Sequence, residues 1–388
     1  MSKGEKNFVP PDYNNCLINV LASVSRHSGI DTGHAGLPEI DAVLKRKPKN
    51  VVVIVLDGLG SNVLKKTLPE RSFLRAGHIR NLKSVFPSAT TPAMISYITG
   101  QTPLEHGWLA RNAYFKEAGA VVSLFNNTDA FSLKMVGKNV DVANSVMPHK
   151  SLLQEIFDAS KGRIRTYTVN PPHTRGPYEH TQLVYNDLEE MMSLISVLCE
   201  TPERKVVFAY HHEPDGVLHD YGTNSKYAID VVSNINNRLE KLVSGVKDTL
   251  FIITADHGST NITKHIDLSG YKELNELLIM PPTMEERMTS FFVQAGKGLQ
   301  FREAFNKLFE HKFLLLAKHE LLELGWLGTG KPHQKTEELL GDFIAIGIAD
   351  WDLTYSTIHD LYEQDKKANH GGLTAEEMII PLIIVDKK

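Results

Sequence analysis

Among the residues of this chain able to bind a metal or attack an electrophile, seven stand out by their place at the end of an apolar run, at a helix start or beside glycines. They are Asp57, Thr90, Asp215, His219, Asp256, His257 and His370. Asp57 ends the run Val51-Val52-Val53-Ile54-Val55-Leu56 and is followed by Gly58, Leu59 and Gly60. Asp215 and His219 follow Val206-Val207-Phe208-Ala209, and their four-residue spacing puts them on one side of a helical turn. Asp256 and His257 follow the apolar run that ends at Ile253, within Thr254-Ala255-Asp256-His257-Gly258. His370 sits in Asn369-His370-Gly371-Gly372, where the glycines permit close approach. Thr90 lies in Phe86-Pro87-Ser88-Ala89-Thr90-Thr91-Pro92, a turn just before a helical stretch from Ala93 to Thr99.

Taken singly, each residue has a plain alternative. Asp57 could cap the next helix, and Thr90 could do the same for its own. A hydroxyl at a helix N-terminus also faces N–H groups that welcome phosphate. Repetition shifts the balance. Three apolar strands end in Asp or His, and ligands bind beyond the carboxyl ends of such strands. Four Asp or His groups from separate segments can surround one divalent cation, and seven suffice for two. Zinc accepts imidazole nitrogen and carboxylate oxygen. Two ions about 4 Å apart can clamp a phosphoryl group. A Thr hydroxyl is a poor nucleophile until metal coordination lowers its pKa. These residue types suit metal-assisted attack of Thr90 on phosphorus.

Positioning them falls to the intervening elements. The continuous β-branched runs predict strands buried on both faces of a parallel sheet. Helical spacing predicts helices between them, including 151–159, 187–198 and 227–246. The expected fold is α/β, a largely parallel central sheet with helices on both faces. Residues 283–356 carry a β-α-β-α-β pattern, which predicts a small α+β lid inserted into a core of residues 1–282 and 357–388. Charged residues of that segment, Arg287 among them, read as solvated or as meeting substrate. Lys366 and Lys367 read as solvated. Leu17, Val20, Leu21 and Val24 predict an amphipathic N-terminal helix capped by Asn14 or Asn15.

Composition narrows the function classes. At 388 residues with 42% hydrophobic content, the chain can bury a large core. A net charge of −4 gives no basic footprint for nucleic acid. The two cysteines, Cys16 and Cys199, form no disulfide framework and fit a reducing compartment. No apolar run approaches the roughly 18 residues of a membrane span. A cytoplasmic protein is the expectation.

The motifs Leu56-Asp57-Gly58, Phe86-Pro87-Ser88-Ala89-Thr90, Pro214-Asp215 with His219, Thr254-Ala255-Asp256-His257-Gly258 and Asn369-His370-Gly371-Gly372 occur in one order. In that order they resemble the alkaline phosphatase superfamily, and most of all its nucleotide pyrophosphatase/phosphodiesterase family, over roughly residues 50–385. The resemblance implies Thr90 as nucleophile, with Asp57, Thr90, Asp256 and His257 on the metal that activates it. It implies Asp215, His219 and His370 on a second metal. The metals would be two divalent cations, zinc foremost and manganese next. The reaction would pass through a phosphothreonine ester, with the Thr90 backbone N–H as an oxyanion donor. The implied partner is a small phosphoester, a nucleotide being one form.

The chain departs from that pattern in one place. Eukaryotic-type members carry Asn three residues after the nucleophile, where this chain has Ala93; Asn126 or Asn127 are the candidate substitutes. No Cys/Ser-x-Pro-x-Arg motif marks a sulfatase. The absence of Arg between Arg80 and Arg111 favours a diester over a monoester dianion. The alternatives are a phosphomonoesterase, phosphomutase or phosphonate hydrolase of the same superfamily, and a catalytically silent module that binds metal or a phospho-ligand.

Overall fold

The computed structural model describes residues 8–137, 141–172, 181–355 and 366–388. The central sheet is built from β1 (Asn50–Leu56), β2 (His78–Lys83), β3 (Ile164–Asn170), β4 (Thr181–Val184), β5 (Arg204–His211), β6 (Thr249–Thr254) and β7 (Ile379–Lys387). Across the sheet the order is β2-β7-β6-β1-β5-β3-β4. β1 pairs in parallel with both β5 and β6, and β3 with β5 and β4. Only β7 runs against the rest, antiparallel to both β2 and β6. Every residue of β1 is buried, as its valine run predicts for a strand covered on both faces.

This direction pattern positions the site. The carboxyl ends of β1, β5 and β6 lie along one edge, and Asp57, Asp215, Asp256 and His257 follow them directly. β2 also runs parallel to these strands, so the chain leaves its carboxyl end toward Thr90. β7 runs the other way, so its amino-terminal end lies on that same edge. His370, nine residues before β7 begins, therefore joins the others.

The helices pack in two groups. Lys226–Gly245 contacts Leu188–Glu200 and Ser61–Thr67, whereas Leu17–His27 contacts Pro38–Leu44 and the site helix Thr90–Thr99. Leu17, Val20, Leu21 and Val24 are fully buried. The cap is not Asn14 or Asn15. Cys16 occupies that position, and its N–H donates to Asn19 Oδ1 at 2.7 Å.

Residues 283–347 form a second, antiparallel sheet of Thr283–Glu285, Met288–Phe291, Phe313–Ala317 and Phe343–Gly347. Its alternation is legible in Phe343-Ile344-Ala345-Ile346. Ile344 and Ile346 pack with Met288, Phe86, Ile95 and Trp108 of the main body. Phe343 and Ala345 pack with Phe301, Phe305 and Phe309 of the helix Gly298–Phe309. Lys264–Asp267 pairs in parallel with Trp351–Thr354, so one strand pair crosses the expected boundary at 282. The other boundary, at 356, lies outside the described residues.

Candidate active site

Asp57 is held at the end of β1 by the turn its glycine permits. Gly58 has φ +71°, and a Cβ there would lie 2.9 Å from Asp215 Oδ1. Glycine thus lets the Asp57 and Asp215 loops touch. Gly58 N donates to Asp256 Oδ1 at 3.1 Å, and His257 N donates to the same oxygen at 2.8 Å. Tyr210, the penultimate residue of β5, donates its hydroxyl to Asp57 Oδ2.

His257 Nε2 is the hub. It lies 3.1 Å from Thr90 Oγ1 and 3.3 Å from both Asp57 Oδ1 and Asp256 Oδ2. Its Nδ1 faces the Gly258 carbonyl at 3.0 Å. A carbonyl only accepts, so Nδ1 carries the proton and Nε2 presents its lone pair to the cluster. His219 repeats the device: Nδ1 donates to the Ala368 carbonyl at 2.7 Å, and Nε2 faces Asp215 Oδ2 at 3.0 Å. Asp215 and His219 do share one side of a helix, Asp215–Tyr221. His370 stacks on His257 with ring centroids 3.8 Å apart, and its Nε2 is 3.9 Å from Asp215 Oδ1.

Several polar atoms here are buried without a hydrogen-bond partner: Asp57 Oδ1, Asp215 Oδ1, Asp256 Oδ2 and His370 Nδ1. Burial of such atoms is costly unless something pairs with them. Among the described residues, two groups converge closely enough to hold a cation. They are Asp57-Asp256-His257 and Asp215-His257-His370, with ligand atoms within 4.8 Å of one another in each. The carboxylate and imidazole donors and the unpaired oxygens fit divalent cations. The second group differs from the set implied by resemblance. His257 reaches both groups, and His219 approaches through Asp215.

The electrostatics point the same way. Burial, then the charges of Asp256 and Asp215, push the Asp57 carboxyl well above its ordinary value. Burial also raises Asp256, against the pull of His257. Asp215 is raised by burial, but His219 and His370 outweigh that and hold it below the usual range. Burial and His257 drive His370 well below the ordinary histidine value. Carboxylates crowded this way need added positive charge to ionise together.

The cluster opens into a cavity of about 370 Å³. Asp57, Thr90, Asp215, His219 and His370 line one side, and Pro282–Glu286, Thr289 and Leu353–Tyr355 line another. A family model described as type I phosphodiesterase / nucleotide pyrophosphatase matches residues 51–373. The chain belongs to this family.

The relatives it resembles include the bis(5'-adenosyl)-triphosphatase ENPP4 of Homo sapiens, 25% identical over 238 residues, which cover 56% of this chain and 49% of that protein. The Bos taurus form is 25% identical over 258 residues, covering 63% and 54%. The chain thus spans about half the length of the curated relatives it matches. Among solved structures, murine ectonucleotide pyrophosphatase/phosphodiesterase 5 superposes with a TM-score of 0.62 at 20% identity, covering 86% of this chain and 87% of that one. Phosphonoacetate hydrolase of Sinorhizobium meliloti 1021 superposes at 0.60 and 17% identity, covering 87% and 90%. These superpositions establish the shared fold.

Several residues of this phosphodiesterase-family cavity escape a reading of the sequence. Asn112 lines the wall with a buried Oδ1 that lacks a partner. Arg111 beside it also lines the wall, so the long interval without arginine does not keep guanidinium away. Ala93 is no cavity residue; it packs against Cys16, Ile18 and Val85. Asn126 reaches the cavity, whereas Asn127 is a turn residue at φ +55° whose amide bonds Val136 and Val142. Lys366 is not solvated but nearly buried on the wall, 3.1 Å from Glu286. Arg287 is neither solvated nor in contact with the cavity. It is fully buried against Glu377. Thr90 is itself the first residue of its helix, Thr90–Thr99, one turn earlier than the proline pattern places the start.

Proposed function

We propose that the chain hydrolyses a phosphodiester or pyrophosphate bond, with Thr90 as the nucleophile. The reading rests on one observation: the Thr90 hydroxyl meets His257 Nε2 at 3.1 Å, beside unpaired carboxylate oxygens, at the floor of a cavity. Asp57, Asp256, His257 and Thr90 would hold one divalent cation, and Asp215, His219 and His370 a second, zinc suiting this donor set best and manganese next. Bound there, the cations would lower the pKa of the Thr90 hydroxyl and offset charge on the phosphoryl and leaving oxygens.

The protein's own groups do the rest. Thr90 Oγ1 loses its proton to solvent and bonds to phosphorus as the bond to the leaving oxygen breaks, and the leaving group departs into solvent, which supplies any proton it takes up. The first N–H groups of the Thr90–Thr99 helix lack intrahelical acceptors and donate to the phosphoryl oxygens. The Asn112 amide does so from the wall. Water then attacks the phosphothreonine ester, the P–Oγ1 bond breaks and a proton returns to Oγ1. Two in-line displacements leave the configuration at phosphorus retained. The segment 283–356 would act as the lid that selects the group esterified to phosphorus. The human relative's name makes a dinucleoside polyphosphate the first substrate class to try.

A second reading, phosphomonoester or phosphonate hydrolysis, draws support from Arg111 and Lys366 on the wall, which a dianion or a substrate carboxylate would meet. Glu285 and Glu286 on the same wall offset them, which favours the diester. The deciding experiment compares a bis-aryl phosphate diester with the matching aryl monoester on zinc-reloaded protein. The diester rate should lead, and Thr90→Ala should lower it at least about 10³-fold. A monoester preference would favour the second reading. A Thr90→Ala variant with wild-type turnover would rule out Thr90 as nucleophile.

A further inference from the structure

Arg287 and Glu377 are fully buried and joined through two hydrogen bonds, Nε to Oε1 at 2.6 Å and Nη2 to Oε2 at 2.8 Å. Nη1 donates to the Trp351 carbonyl. A buried ion pair is weak evidence for stability, because apolar residues of similar volume serve as well. Its use lies in what the pair holds.

Glu377 is a junction. Oε1 also accepts the Gly372 N–H at 2.8 Å, and Oε2 accepts the Thr374 N–H and hydroxyl at 3.1 and 2.6 Å. Its backbone carbonyl accepts the Gly258 N–H at 2.8 Å. Gly372 in turn gives its carbonyl to the Ser88 hydroxyl at 2.7 Å. Three loops of the site therefore meet here: the one ending in Thr90, the one carrying Asp256 and His257, and the one carrying His370. The fit leaves no slack around the guanidinium. A Cβ on Gly347 would lie 2.9 Å from Arg287 Cζ, and one on Gly372 would lie 2.4 Å from the Gly347 carbonyl oxygen.

We propose that Arg287 and Glu377 are positioning residues that set the His370 loop against the His257 loop, and so tune how tightly the second cation is held. Arg287 belongs to the segment 283–356, so this pair ties that segment to the metal ligands and not only to the cavity wall. A single ammonium cannot replace the fork, since two parallel donors define an angle and one does not. The inference rests on the two-metal reading above.

The test titrates metal-stripped protein with Zn²⁺ against a chromophoric chelator. Wild type should show two binding steps. Arg287→Lys should weaken one step by about 10- to 100-fold and leave the other nearly unchanged. Its kcat should fall with KM held, and excess Zn²⁺ should restore kcat. Leu239→Ala, a buried change in the remote helix Lys226–Gly245, should lower Tm but move neither step. If Arg287→Lys does not fold, Arg287→Met with Glu377→Gln leaves no unpaired charge and should show the same selective loss. Unchanged constants in the folded variant, or equal weakening in Leu239→Ala, would overturn the positioning role. A wild type that binds fewer than two Zn²⁺ would instead overturn the two-metal reading, and the inference with it.

Discussion

Replacing Asp57 by Asn should make the metal-stripped protein more stable while crippling it as an enzyme. Asp57 and Asp256 each place a carboxylate oxygen within 4.8 Å of the other, in a fully buried cluster. Two unit charges at that separation repel by about 3.5 kcal/mol at an effective permittivity of about 20. The Asp57 pKa is raised first by burial and then by the charges of Asp256 and Asp215, so protonation spares the wild type part of this repulsion. A raised carboxyl pKa means that the folded protein holds a proton the unfolded chain gives up. That contribution is intact below the ordinary carboxylate range and is lost as pH rises through the folded value. Asn removes the repulsion but converts the charged hydrogen bond from Tyr210 into a neutral one, at a cost of about 1 kcal/mol. The net gain is about 2 kcal/mol. Unfolding entropy of about 2.1 cal/mol/K per residue over 388 residues turns this into a rise of about 2–3 °C in Tm. The assay is thermal unfolding in chelator at pH 5 and pH 8, repeated with zinc. The gain should grow between the two pH values. On the proposed metal site, zinc should then raise the wild type more than the variant, which lacks the Asp57 carboxylate as a ligand. A variant that melts below wild type at pH 8 in chelator, or a difference that ignores pH, would refute the crowded-carboxylate account.

Two other perturbations probe the surroundings. Tyr210→Phe removes the hydroxyl that orients Asp57 and should cost about 10- to 100-fold in zinc affinity or kcat; equal values in a competition titration would show that Asp57 is held without it. His211, pushed by burial and by His212 down to about 4, stays neutral in the folded state while the unfolded chain takes up a proton below about 6.5. Its contribution is present above that value and is lost as pH falls toward 4, by at most about 3 kcal/mol. Urea midpoints measured from pH 7 to pH 4 should fall less steeply in His211→Gln, and an identical slope would assign the acid sensitivity elsewhere.

Local patterns disclosed most of the scaffold because burial leaves a local mark. The valines before Asp57 and the aliphatic residues before Asp256 could only be strands covered on both faces, and polar residues after them had to emerge at the sheet edge. The same logic marks Asp57, Asp215, His219, Asp256 and His257 as candidates, whereas Thr90 is marked by a helix start and His370 by the glycines beside it. It failed where the informative fact is a partner distant in sequence. Arg287 and Glu377 are 90 residues apart, and nothing in either neighbourhood announces a buried pair. Lys366 sits in a stretch that reads as solvated, and only the approach of Glu286 explains its burial. Arg111 and Asn112 reach the cavity where the hairpin of Asn112–Phe115 and Ala120–Ser123 packs with Ile95 and Ile98 of the site helix, a contact that spacing from Thr90 does not encode. The Cys16 cap was hidden for a smaller reason. Two asparagines stood next to it, and the one that acts is Asn19, inside the helix.

The reversed direction of β7 has a consequence for the order of events during synthesis. Among the described strands of the central sheet, the antiparallel one that separates β2 from β6 comes latest in the chain, and His370 comes just before it. At about 5–20 residues per second, the ribosome needs roughly 15–60 s to travel from Asp57 to His370. Through that interval β2 and β6 lack the neighbour they share. The group Asp57-Asp256-His257 can assemble once Asp256 and His257 emerge, whereas Asp215-His257-His370 must wait for His370 to leave the exit tunnel. On the proposed two-cation reading, metal loading would therefore be ordered in time. On that reading, a chain cut before His370 would lack a ligand of the proposed second cation, and its activity would be lost.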